Sequence, residues 1–232
     1  MANGNNIGGR GTLTRENLQA HMAIVQGVND VIWSPRYDSA LYVTNGQTQL
    51  TFFVAPIGQG TTTAPGSSGT KTLADTNMTS AGQLTKGQAF YTVGVEILPY
   101  PSIDPAQGNI NRAAPGDFLN DIYDLSKSGV LTFRVQDRDY IQDGPLGLFP
   151  PTTRLAVNSA LAMDGAVTPT PTQSITQVDY ATFSGEPYTI TPIYLDSNQG
   201  FQATIVWPTA VSLSAQVRLY MRLRGYLIRN AQ

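Results

Sequence analysis

In QVRLYMRLRGYLIRN, residues 216–230, Arg218, Tyr220, Arg222, Arg224 and Tyr226 recur at every second position. A guanidinium offers a planar fork of donors that fits carboxylate and phosphate, and a phenol offers an aromatic face with a polar tip. The chemistry on offer is recognition by ion pairing, stacking and hydrogen bonding. Three partners fit. Nucleic acid would take arginine on phosphate and tyrosine on bases. A protein surface would use the residue types enriched in interface hot spots. Water would leave the arginine stems lying over apolar surface. Composition favours the protein surface. Only 13% of residues are charged, the net charge is −2, and no charged residue falls between Asp38 and Lys71. Charge is depleted in interface cores, and a chain of this net charge is not an electrostatic nucleic-acid binder as a whole. The five residues are therefore predicted to form a subunit interface. Arg222 has no acceptor in its own strand and is expected to find one on a neighbour.

Other chemistry has little to work with. His21 is the only histidine, and no nucleophile elbow accompanies it. There is no cysteine, which leaves no disulfide, thiolate or Cys/His zinc set. Asp137, Asp139 and Asp143 cluster before Gly144. They could hold calcium, but the other ligands of a calcium loop are missing and Arg138 sits among them, so a turn with capping aspartates is preferred. No carboxylate pair stands out for glycoside hydrolysis, and NNIGGRG lacks the lysine and the preceding strand of a phosphate loop. Asn77 in NMT matches a glycosylation acceptor without a secretory leader before it. The sequence predicts no enzyme, no cofactor and no metal site.

The strand that carries the arginines also carries Val217, Leu219, Met221 and Leu223 on the opposite parity. Successive strand side chains point to opposite faces, so these four are predicted to enter a core. Similar runs are QLTFFVAPI, QAFYTVGVEILPY, VLTFRVQD, TQVDYATFS, YTITPIYL and FQATIVWP. In the second, Tyr91, Val93, Val95 and Ile97 are predicted to point inward; in the third, Leu131, Phe133 and Val135. Five prolines between 143 and 173 predict mostly loop there, with one strand at TRLAVNSALAM. Two short helices are predicted. One is TRENLQAHMAIVQ, with Leu18, Met22 and Val25 on one face, or else a segment that orders only against a partner. The other follows Asp117, with Phe118, Ile122 and Leu125 inward and Gly129 as its stop.

About eight short strands with Gly/Pro turns and no βαβ alternation predict an all-β fold, specifically a single jelly-roll sandwich. Residues 1–36 are read as a flexible N-terminal arm with a short helix, and 37–232 as the jelly-roll domain. The Gly/Thr-rich segment 58–87 is expected to be a surface excursion that contacts other subunits. Met1 precedes no apolar leader, and no apolar run reaches membrane-span length. The chain thus reads as soluble and made in the cytoplasm.

Three stretches, LTFFVAPIGQG, LADTNMTSAGQLTKGQAFYTVGVEI and AQVRLYMRLRGYLIRN, resemble major capsid proteins of tailless icosahedral bacteriophages of the jelly-roll lineage. The resemblance covers roughly 40–100 and 200–232. It implies a structural virion protein that self-assembles into an icosahedral capsid in the host cytoplasm. The implied partners are copies of itself and other capsid proteins, with an N-terminal arm that ties neighbours or reaches an internal membrane or the genome. The alternative from another class is a carbohydrate-binding module or a phage fibre or receptor-binding protein.

Overall fold

The computed structural model describes residues 29–64, 68–100, 117–149, 153–163, 171–182 and 188–230. The arm and helix predicted before residue 29 lie outside these. The strands are β1 (Asn29–Trp33), β2 (Arg36–Tyr42), β3 (Gln49–Phe52), β4 (Gln88–Tyr100), β5 (Val130–Val135), β6 (Arg138–Pro145), β7 (Thr153–Met163), β8 (Pro171–Thr182), β9 (Tyr188–Asp196), β10 (Phe201–Val206) and β11 (Val217–Asn230). One helix, α1 (Asp117–Ser128), precedes β5.

Every pairing is antiparallel. In the first sheet β11 lies beside β4 and β4 beside β9, while β1 and β2 follow one another along the free side of β11. The second sheet runs β3-β10-β5-β6. The core takes residues from both sheets, with Phe90, Val95, Leu195 and Leu219 against Phe52, Leu131, Phe133 and Ile205. Burying one such side chain contributes about 1.5–3 kcal/mol. The fold is an all-β sandwich. β7 and β8 form a separate ribbon from Thr153↔Thr182 to Met163↔Pro171.

The inward sets of β11 and β5 are those predicted: Val217, Leu219, Met221 and Leu223, then Leu131, Phe133 and Val135, are all buried. Helix α1 stands where it was predicted, but of its predicted inward face Ile122 is only half-buried and the Phe118 side chain lies outside the described residues. Leu125 is buried, and the Gly129 N–H donates to the Leu125 carbonyl at the helix end. Trp207 Nε1 donates to the same carbonyl at 3.1 Å, which ties the helix to the sandwich.

Several predictions need correction. In β4 Val95 and Ile97 enter the core as predicted, but before them it is Phe90, not Tyr91 or Val93, that does so, and the parity changes midway. Thr92 pairs with Gly225 and Gly94 with Arg224, which leaves Val93 as an extra residue without a partner in β11. Such a bulge turns the side chains beyond it to the other face. The Tyr91 side of β4 therefore faces outward before the bulge. Gly225 is required opposite it, because a Cβ there would lie 2.0 Å from the Tyr91 carbonyl oxygen.

Among the described residues there are eleven strands, where about eight were predicted. The sheet takes in residues from Asn29 onward, inside the stretch read as arm, and the run is interrupted at Ser34–Pro35. Arg138–Pro145 is a strand, not an aspartate-lined turn; the reversal is confined to Gln136 and Asp137. The 143–173 stretch is also richer in strand than its prolines suggested. Pro145 ends edge strand β6 and Pro171 begins β8, both places where a missing N–H is tolerated.

Candidate functional site: the outer face of the first sheet

Even-numbered residues of β11 point away from the core, and their partners on β1, β2 and β4 share that outer side. The predicted interface residues Arg218, Tyr220, Arg222, Arg224 and Tyr226 thus do lie on one face. The structure divides that face into two ends.

At the Arg218 end the face is covered from within the chain. After β3 the backbone turns at Phe53, whose φ of 69° lies in the left-handed region that a bulky residue enters only at a cost. Asp38 of β2 holds that turn: its Oδ2 accepts the Phe53 N–H at 2.6 Å, and its Oδ1 takes Lys71 Nζ at 2.6 Å. Burial raises the Asp38 carboxyl above its ordinary range, although Lys71 and the Phe53 amide act against that shift. The segment between β3 and β4 then returns across the sheet and presents Asp75. This fully buried carboxylate accepts from the Thr63 amide at 2.8 Å, the Thr62 hydroxyl at 2.7 Å, the Thr72 amide at 3.0 Å and Arg218 Nη2 at 2.9 Å. Desolvation alone would raise its pKa. The hydrogen bonds from Thr72, Thr62 and Thr63 together outweigh it and hold Asp75 well below the usual carboxylate range. Arg218 also donates to Thr63 Oγ1 and to the Ala74 carbonyl, each at 2.8 Å, and is only 8% exposed. Next to it, Tyr220 packs against Tyr37 and Tyr100, with ring centroids at 6.0 and 5.6 Å. Burial pushes its hydroxyl up to about 12.

Residues 58–87 were predicted to reach outward to other subunits, yet the middle of this segment is bound to its own sheet. It also presents exposed side chains to solvent, among them Gln59, Thr70, Lys86 and Leu73, the last 67% exposed.

In the middle of the face, Glu96 stands opposite Arg222 in register. Arg222 Nη1 and Arg224 Nε each lie 3.5 Å from Glu96 Oε1, and the Glu96 side chain is fully buried. An acceptor for Arg222 was expected from a neighbour; the chain itself supplies one. Strand periodicity could not reveal this, because it places Glu96 on a face without saying which strand lies beside it.

The far end is different. Trp33 pairs with Tyr226, Tyr226 with Tyr91, and Tyr91 with Tyr194, so one aromatic side chain from each of four adjacent strands forms a row across the outer face. Trp33 and Tyr194, at the two ends of the row, are each 49% exposed. The Trp33 and Tyr226 rings meet edge to face, 5.0 Å apart at 79°, and the Arg224 guanidinium lies 5.3 Å from the Trp33 ring centre. Sequence reading found Tyr226 alone. Tyr91 was placed inward because the bulge was invisible, while Trp33 and Tyr194 join the row only through strand pairing.

The aspartate cluster is dispersed. Asp139 accepts both Nε and Nη2 of Arg134 across the β5–β6 hairpin, at 2.7 and 3.2 Å. Asp143 lies 3.5 Å from the Thr132 hydroxyl. Among the described residues no three His, Cys, Asp or Glu side chains converge as a metal site would need. His21 lies outside the described residues. Compared with known proteins, the chain matches no family model, no curated protein and no solved structure.

Proposed function

We propose that this protein is a structural subunit that assembles with copies of itself into an icosahedral virus shell, and that its sandwich is a jelly roll. Strand order supports the jelly roll. Counting β2, β3, β4, β5, β6, β9, β10 and β11 in turn, the first strand lies beside the last, the last beside the third, and the third beside the sixth. In the facing sheet the second lies beside the seventh, the seventh beside the fourth, and the fourth beside the fifth. That winding is the one used by viral capsid domains and lectins among others. The resemblance of residues 40–100 and 200–232 to phage capsid proteins points the same way.

The observation that carries the shell reading is where the exposed apolar side chains lie. Val54, Ile57 and Leu73 are on the segment between β3 and β4, Tyr140, Leu148 and Val206 on or beside the second sheet, and Trp33 and Tyr194 on the first. A lattice subunit needs several separate contact surfaces, because each neighbour meets it from a different side. A glycan-binding module would concentrate such residues in one place. The aromatic row favours that alternative, but its edge-to-face rings do not present the flat platform on which a sugar ring stacks.

Size-exclusion chromatography with light scattering, followed by negative-stain imaging, tests the proposal. Capsomers or closed shells of regular size are expected. A monomer at all concentrations that is retained on a glycan column would overturn it in favour of the binding module.

A further inference from the structure

Among the described residues three cations are buried: Arg36, Lys71 and Arg218. Two of them have a carboxylate. Lys71 meets Asp38 at 2.6 Å and Arg218 meets Asp75 at 2.9 Å. Arg36, only 9% exposed, takes part in no ion pair among the described residues. Its Nε is buried without a hydrogen-bond partner, and its Nη2 lies 3.4 Å from the Gln88 side-chain oxygen, at the long limit for such a bond. Asp38 stands two residues along the same face of β2, but Lys71 and the Phe53 amide already hold it. Burial lowers the Arg36 pKa from its ordinary value, yet a guanidinium keeps its charge in proteins. A buried charge without a counter-charge is among the costliest arrangements in a fold.

Register shows where this side chain goes. Arg36 pairs with Leu223, a core residue, so it leaves β2 on the core side of the first sheet. Its guanidinium carbon lies over the Phe90 ring, 5.9 Å from the ring centre, and its tip meets Gln88. Phe90 pairs with Leu227 and Gln88 with Arg229, so the side chain runs from the core toward the margin of the sheet. On that marginal row Asp30 pairs with Arg229, which shares the core side of Leu227, and the two side chains lie 3.6 Å apart. The margin thus gathers the guanidiniums of Arg36 and Arg229 against the carboxylate of Asp30. It also holds the Gln88 amide, which can turn its NH2 group toward an acceptor. Gln88 is half-buried and Arg229 exposed, so the row opens to solvent.

We propose that this margin of the sandwich is an oxyanion site, in which Arg36 and Arg229 hold a carboxylate or phosphate group. A guanidinium offers parallel N–H donors that match two oxygens of either group. The Phe90 ring supports the Arg36 fork from one side, as a ring face does for a cation within about 6 Å. The oxyanion is a free ion or a carboxylate carried by another copy of this chain, and the chemistry is the same for both. The inference does not depend on the shell reading, because it rests on an uncompensated charge within one subunit.

The test uses the full chain in chloride buffer at fixed pH and ionic strength, with inorganic phosphate as the probe. Phosphate should raise the melting temperature of the wild type and bind in calorimetry. Arg36→Met should weaken that binding by about tenfold or more, the loss expected for one charge-assisted contact. Phosphate also strengthens burial in general, so the difference between the two proteins is what counts. In chloride alone Arg36→Met should melt higher than the wild type, because an apolar side chain of similar length replaces an uncompensated charge. An arginine with a purely structural role would give the opposite sign. Arg229→Gln, at an exposed position, should weaken phosphate binding by a smaller factor and leave the melt in chloride unchanged. Wild-type stability that rises with protein concentration in chloride, and does not in Arg36→Met, would assign the oxyanion to another copy. An equal phosphate response in the wild type and Arg36→Met, without any concentration dependence, would overturn the proposal. So would an Arg36→Met protein that melts lower than the wild type in chloride.

Discussion

The two ends of the outer face share β11 and β4 and answer the same problem in opposite ways. At the Arg218 end a polar segment folds back and buries charge: Asp75 meets Arg218 and three threonines on the outer side, while Lys71 of the same segment and a backbone amide meet Asp38 on the core side of β2. At the Trp33 end the sheet presents aromatic rings, of which Trp33 and Tyr194 keep about half of their surface exposed. A buried ion network holds only when nearly every member is satisfied, so it specifies one partner, and here that partner is internal. An aromatic row makes weaker geometric demands and stays available to whatever brings an apolar surface. Arg218 and Trp33 would both pass as interface residues by type, but only the second keeps half of its surface for a partner.

This contrast can be broken most strongly at Asp75. Asp75→Ala leaves Arg218 buried without its carboxylate and should cost about 3–5 kcal/mol, the range for removing one partner of a buried pair. Urea denaturation would measure it; a loss under about 1 kcal/mol would mean that the clasp is solvated in solution.

Leu219→Ala probes the core side of the same strand. Its side chain is buried, and the expected loss is about 2–5 kcal/mol. A value equal to that of an exposed site would contradict the register.

Arg222→Glu places a second carboxylate against buried Glu96. It should lower the melting temperature of the monomer, by about 2 kcal/mol in stability terms, whereas Arg222→Gln should cost less. An unshifted melt for the glutamate variant would mean that the Arg222–Glu96 approach contributes nothing to the fold.

The pH dependence separates the two carboxylates of the clasp. The folded-state pKa of Asp75 is depressed. Its stabilisation is therefore fully present above the unfolded value of about 4 and is lost as pH falls through that value toward the folded one. Asp38 is shifted upward, so its protonation in acid relieves a cost and acts in the opposite direction. In chemical denaturation at stepped pH, Asp75→Asn should flatten the decline of stability below about pH 4, while Asp38→Asn should retain it. Equal acid limbs in the wild type and Asp75→Asn would rule out Asp75 as their source.

The smallest effect belongs to the open end. Tyr194→Ser removes a half-exposed ring at the sheet edge and should change monomer stability by no more than about 0.5 kcal/mol. A larger loss would show that the ring is already covered, which would erase the difference between the two ends.

The sequence by itself determined the inward face of β11, the inward face of β5, the place of α1 and the all-β class. Each rests on local periodicity, and a period of two or 3.6 survives whatever the neighbours do. It also placed the five arginines and tyrosines on one face. Which of them are free was a tertiary decision. Arg218 was claimed by a carboxylate 143 residues earlier in the chain, and Arg222 by one on a strand whose pairing no local pattern announces. The bulge at Val93 had the same origin. One extra residue is an error in a periodic pattern until a partner strand with Gly225 opposite it makes room, and only then does Tyr91 turn outward to complete the row. Periodicity is a property of one strand, whereas partnership, burial and the aromatic row belong to strands that meet only when the sheet closes.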